Sequence, residues 1–259
     1  LCIVGDPPSN DPKFFGGKAL TYYGRWTYKF EQAARMGAVG ALIIHRTDLA
    51  SYGWDVVKNS FTSEKTYLRD DKNPQLQAAS WIQLAVAKKL FAASGKDLDE
   101  EMTAAGQRGF KAVELPVRLK AQVESTVRPF QSANVVGILP GVNAGGKDQA
   151  GRDTAYYDHL GFVPGMAGDN IYNGAADNAT GCGMLLEMAR AWTAMGVKPP
   201  HSVIFASVTA EEQGLLGSEY LGQHPPVPAG QIALDINYDM ILPIGVPREV
   251  NLNGAQRTS

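Results

Sequence analysis

Cysteine is scarce in this chain. Only Cys2 and Cys182 occur among 259 residues, which excludes a disulfide-stapled scaffold and a cysteine-built zinc cluster. Cys182 sits in an apolar, helix-like stretch and reads as a small core residue. An excess of one charge sign is also missing. The 24 Lys+Arg nearly balance the 26 Asp+Glu, a net charge of -2, so there is no electrostatic footprint for nucleic acid. No run approaches the roughly 18 apolar residues that span a bilayer, and no secretory signal pattern is read in these residues. What the chain does have is 44% hydrophobic residues, enough for a sizeable core in one large or two modest domains. It opens on "LCIVGDPP", an apolar strand already under way, so residues before Leu1 are expected.

Residues 25–45 read as a helix, a stop at Gly37 and a buried strand, "AVGALII". Residues 79–94 read as a second amphipathic helix ended by Gly95. The text then turns polar, and a domain boundary is expected near 105–112. Beyond it, "VELPVRLKAQVES" alternates like a half-buried strand, and "ANVVGILPG" reads as a buried one. Residues 142–155 are polar and glycine-rich and read as loop. A helix follows over 181–195, with Asn178 or Thr180 as its cap, then a strand from Val203 to Val208, a short helix to Leu221, and a last strand, "IALDINYDMI". Strands alternating with helices predict an α/β fold with a largely parallel or mixed sheet flanked by helices.

Acidic residues collect where these strands end. Glu211 and Glu212 follow one strand, Asp239 another, Asp158 lies in "YYDHLG", and Asp177 precedes the 181–195 helix. As a lone pair, Glu211-Glu212 would suit a helix start, where carboxylates complement the dipole. Strand ends of a parallel sheet, however, converge on one crevice. Acids gathered there repel one another unless a cation offsets them. The pattern therefore points to a divalent metal site. Of two adjacent glutamates, one can bind metal while the other accepts a proton from water.

The segments "DHLG", "GDNIYNGAADNATGCGMLLEMARAW", "SVIFASVTAEEQGLLGSEYL" and "NYDM" resemble, in order and separation, the M28 zinc metallopeptidases. "ALTYYGRWTYKFEQAARMGAVGALIIH" resembles the protease-associated domain that such enzymes insert. The resemblance implies a protease-associated-like domain over 1–110 and a zinc-exopeptidase-like catalytic domain over 111–259, continuing beyond Ser259. It implies two Zn²⁺ ions, with Asp177 bridging them, Glu212 on one and Asp239 on the other. Glu211 is the implied general base, and Asp158 the acid that orients a histidine ligand. The implied activity is hydrolysis of N-terminal residues from peptides by a secreted or periplasmic aminopeptidase.

The chain departs from that pattern in three places. The first histidine ligand would stand two residues before Asp158, where this chain has Tyr156, and a phenol with an ordinary pKa near 10 ligates zinc poorly. The second lies late in the family's catalytic domain and has no counterpart here. The text before Tyr156 is also not the apolar strand the family carries. The histidines present are His45, His159, His201 and His224. His159 is close enough in sequence to reach a metal, but it and the others read as structural or surface residues. Carboxylate-only sites favour Mg²⁺, Mn²⁺ or Ca²⁺. Two competing readings remain. One is a non-catalytic scaffold with the same fold, which Tyr156 favours. The other is a single-metal acyltransferase, which Asp239 opposes by supplying a carboxylate for a second ion.

Overall fold

A computed structural model of the chain describes residues 1–7, 11, 13–15, 21–62, 64–69, 75–142, 149–163, 165, 167–241, 245–246 and 248–249. The chain divides into two compact units, residues 1–65 with 69–126, and 66–68 with 127–259. Among the described residues, no helix is long and apolar enough to cross a membrane.

The first unit is built on a parallel three-stranded sheet in the order β1 (Cys2–Ile3), β2 (Gly40–His45), β3 (Ala78–Gln83). The helices α1 (Trp26–Arg35), α2 (Thr47–Ala50), α3 (Trp54–Thr62), α4 (Leu84–Ala93) and α5 (Leu98–Ala105) surround it. Successive strand residues face opposite ways, so β2 buries both of its faces. Ile43 packs with Val4, Val57 and Trp81 on one side. Ile44 packs with Ala87, Phe91 and Leu98 on the other. The helix expected over 79–94 is two elements, because Ala78–Gln83 completes the sheet beside β2 and only Leu84–Ala93 is helical. The half-buried strand expected over 113–125 is not formed. Residues 110–134 have no helix or strand. Leu119 and Val123 are 70% and 82% exposed, while Val113 and Leu115 cover the Ile44 cluster.

The second unit contains a four-stranded mixed sheet in the order β4-β8-β5-β9. Here β4 is Val135–Leu139, β5 Ala150–Tyr156, β8 Ser202–Val208 and β9 Ile232–Asn237. A short hairpin of β6 (Gly161–Phe162) and β7 (Ile171–Tyr172), with α6 (Thr180–Ala194), connects β5 to β8, and α7 (Leu216–Gln223) lies between β8 and β9. Such crossovers let β5, β8 and β9 run parallel, while β4 is antiparallel to β8. The mixed, largely parallel α/β sheet expected from the alternation is present. Of the loop expected over 142–155, residues 150–155 instead belong to the central strand Ala150–Tyr156, and 143–148 lie outside the described residues. The polar side chains of β5 bond to the neighbouring β9 segment: Arg152 Nη2 donates to Asp235 at 2.6 Å, Tyr238 Oη donates to Asp153 at 2.9 Å, and Thr154 donates to Asn237 at 3.0 Å.

Candidate functional site

The parallel register decides what meets what. Tyr156, the last residue of β5, pairs with Val208, the last of β8. Thr154 pairs with Asn237, the last of β9. The chain beyond each of these strands therefore emerges at one edge of the sheet. The 157–159, 209–212 and 238–239 segments share that edge, where ligands of such sheets bind.

Asp158 fixes the turn that carries the two glutamates. Its carboxylate accepts from Thr209 Oγ1 at 2.5 Å and from the Ala210 amide at 2.8 Å. Ala210 adopts φ 55°, a left-handed conformation uncommon for a residue with a side chain. Asn134 Oδ1 accepts from the Thr209 amide at 3.1 Å, and its Nδ2 donates to Gly217 O at 2.8 Å. Position 217 has no room for a side chain, since a Cβ there would lie 2.1 Å from Thr209 O. Glu211 and Glu212 are thus presented by a backbone held on three sides. Position 156 carries a tyrosine, and the group Asp158 orients is this turn.

Asp177 comes from a tight turn, Ala175–Ala179, ahead of α6. Its neighbour Asn178 is 2% exposed. Asn178 Oδ1 caps α6 by accepting from the Gly181 amide at 3.1 Å, and its Nδ2 donates to Tyr238 O at 2.8 Å. That pair of bonds ties the start of α6 to the end of β9 and brings Asp177 toward Asp239. The Tyr156 hydroxyl lies between the two acids, hydrogen-bonded to Asp177 Oδ1 and, at 2.6 Å, to Asp239 Oδ1. His159 lies on the other side of Asp177. Its Nδ1 is 2.6 Å from Glu212 Oε1 and 3.9 Å from Asp177 Oδ2. The ligating atoms of His159, Asp177 and Glu212 all lie within 4.8 Å of one another.

The charges of this edge act on Glu211. Its carboxyl is pushed up to about 7, first by burial and then by the negative charges of Glu212, Asp239, Asp177 and Asp158. Burial and the hydrogen bonds to Asp177 and Asp239 hold the Tyr156 phenol far above its ordinary value, so it stays neutral. The Glu211 shift has a consequence for stability. An unshifted carboxyl titrates near 4.5 and the folded one near 7, so between these values the folded chain binds the extra proton. Stability therefore declines as pH rises through that window and levels off above it. In chelator-treated protein, Glu211→Gln is expected to melt higher than wild type at about pH 8 and nearly level with it at about pH 5. Thermal denaturation at the two pH values checks this; an equal gap at both would exclude Glu211 as the titrating group.

The structure thus brings Asp177, Glu212, Asp239 and Tyr156 together, with Glu211 and Asp158 beside them. It adds His159, whose partner Glu212 lies 53 residues away. The only sequence signal for that contact was its place next to Asp158.

Comparison with known proteins agrees with the motifs. Residues 134–258 match the model of Peptidase family M28, so the resemblance read from the sequence holds across that stretch. Over 68 residues, 26% of this chain, the sequence is 38% identical to a "Probable zinc metalloprotease" of Pyrenophora tritici-repentis (strain Pt-1C-BFP), covering 15% of that protein. It is 29% identical over 136 residues, 48% of this chain, to a "Probable zinc metalloprotease" of Phaeosphaeria nodorum, covering 27% of that protein. The chain spans less than a third of the length of these curated relatives. Among solved structures, an aminopeptidase from Aneurinibacillus sp. strain AM-1 aligns with a TM-score of 0.42 at 20% identity, over 87% of this chain and 44% of that one.

Proposed function

We propose that the chain forms part of a metal-dependent aminopeptidase that removes N-terminal residues from peptides, with Glu211 as the general base. The observation that carries this reading is the placement of Glu211 among four further acids, Glu212, Asp239, Asp177 and Asp158, which together with burial raise its carboxyl to about 7 in the ion-free chain. A carboxylate placed among the groups that would hold an ion is positioned to take up a proton from water. The family match over 134–258 and the zinc named for the fungal relatives support the same reading. The first unit is proposed to be the protease-associated-like domain, on the sequence resemblance.

The donors decide how much metal the site can hold. Asp177 Oδ2 and Glu212 Oε1 face a common position beside His159, and these groups fit an ion. Asp177 Oδ1 and Asp239 Oδ1 are already joined by the neutral Tyr156 hydroxyl, and that arrangement does not fit a second zinc. A zinc held by Asp177 and Glu212 would polarise the scissile carbonyl and acidify a water. Glu211 would accept a proton at its carboxylate. Asp158 keeps the 209–210 backbone, and with it Glu211, in place.

A non-catalytic scaffold is the second reading, and the Tyr156 bridge favours it. Hydrolysis of a panel of aminoacyl reporters separates the two. Turnover that a chelator abolishes and zinc restores is the expected result. A metal-loaded protein that hydrolyses none of the panel would establish the scaffold.

A further inference from the structure

We propose that this site holds a single divalent ion of the zinc class, ligated by His159 Nδ1 together with Asp177 and Glu212, and that Tyr156 closes the position of a second ion. The proposal rests on the metal-dependent reading above. It departs from the two-ion arrangement that the sequence resemblance implies.

The geometry around His159 is that of a ligand set. Two donors bound at about 2.0–2.1 Å to a tetrahedral zinc stand roughly 3.3 Å apart. The His159 Nδ1 separations of 2.6 Å from Glu212 and 3.9 Å from Asp177 bracket that spacing. Small side-chain adjustments bring all three donors to an ion between them. One imidazole with two carboxylates supplies three donors of the kinds zinc binds, the number that catalytic sites use while leaving a fourth position open. The ring is seated from more than one side. It meets Tyr172 edge-on, with centroids 6.0 Å apart, and the backbone at Gly174 packs against its Cβ, where an added methyl would stand 2.9 Å away. Its side chain is 17% exposed, so it is partly desolvated but reachable by an ion.

Asp177 divides its oxygens between the two positions. Oδ2 faces His159, and Oδ1 takes the Tyr156 hydroxyl. A phenol reaches farther from its backbone than an imidazole does, by about the length of a zinc–nitrogen bond, ~2 Å. With tyrosine at position 156, the hydroxyl falls where an ion held by a histidine would sit. The single proton of that hydroxyl, shared between Asp177 and Asp239, then replaces part of the attraction a cation would provide. Asp239 thereby becomes a partner of Tyr156 instead of a metal ligand.

The test is calorimetric titration of the metal-stripped chain with Zn²⁺, paired with X-ray absorption at the zinc edge to identify nitrogen in the ligand shell. One ion per chain is expected, with one imidazole nitrogen bound. His159→Ala is expected to weaken zinc binding by more than the roughly 10–100-fold that follows loss of a ligand's hydrogen-bond partner. Asp239→Asn is expected to leave the stoichiometry at one. Two ions in the wild-type chain, a shell without imidazole, or a His159→Ala variant that binds zinc as tightly as wild type would each overturn this inference and leave the metal-dependent reading standing. A wild-type chain that binds no zinc overturns both. The absorption measurement on unaltered protein decides the matter even if the alanine variant does not fold.

Discussion

Glu211→Gln in the active protein is expected to lower turnover by about 10²–10⁴-fold, the usual worth of a positioned general base, while zinc content stays nearly unchanged. The amide keeps the shape of the side chain but cannot take up a proton. In the ion-free chain burial and four neighbouring acids raise the Glu211 carboxyl to about 7, so its surroundings favour proton uptake. Glu212 lies next to it and is bonded differently, with Oε1 2.6 Å from His159 Nδ1. Glu212→Gln replaces a charged donor by a neutral one and is expected to reduce zinc affinity as well as turnover. Steady-state kinetics with metal analysis on both variants separates the roles. Wild-type turnover in Glu211→Gln would remove Glu211 from the mechanism, and loss of zinc from that variant would make it a ligand.

The parts of the fold that could be read from sequence carry their own apolar signal. Val203–Val208 is such a run, and in the sheet Val203, Ile204, Ala206 and Val208 are buried. The glutamates after it were found because the strand before them was plain. Strand β5 gave no such signal, since "AGRDTAY" alternates neither cleanly nor hydrophobically. It is held between β8 and β9, and its polar side chains bond to partners more than eighty positions later, Asp235, Asn237 and Tyr238, of which the local pattern holds no trace. Residues 78–83 were misread for a related reason. "AASWIQ" runs straight into an alanine-rich helix, and only its pairing with β2 shows that it is a strand. At the site, Glu211, Glu212 and Asp239 were visible as acids after strands and Asp177 as an acid before a helix, and the resemblance to M28 peptidases set their expected roles. The hydrogen bonds of Asp158 to Thr209 and Ala210 were not visible, because they depend on the register between β5 and β8.

Tyr156→His is expected to raise the zinc stoichiometry from one ion to two. The change would withdraw the hydroxyl from between Asp177 and Asp239 and leave an imidazole that stops about one zinc–nitrogen bond, ~2 Å, short of the same point. The space so opened would be lined by Asp177 Oδ1 and Asp239 Oδ1, which now share the single proton of the phenol hydroxyl. With the hydroxyl gone, these two acids would face each other with no donor between them. Their repulsion favours taking up a cation. Imidazole also suits zinc far better than a neutral phenol does, so the second ion would gain a nitrogen ligand as well as the two carboxylates. Tyr156→Phe is the control, because it removes the hydroxyl without supplying a nitrogen, and it is expected to stay at one zinc per chain. Calorimetry on the three proteins under the same buffer gives the count directly. If Tyr156→His still binds only one ion, Asp239 is not placed to serve as a ligand, and the position beside Tyr156 was never a metal site in this chain.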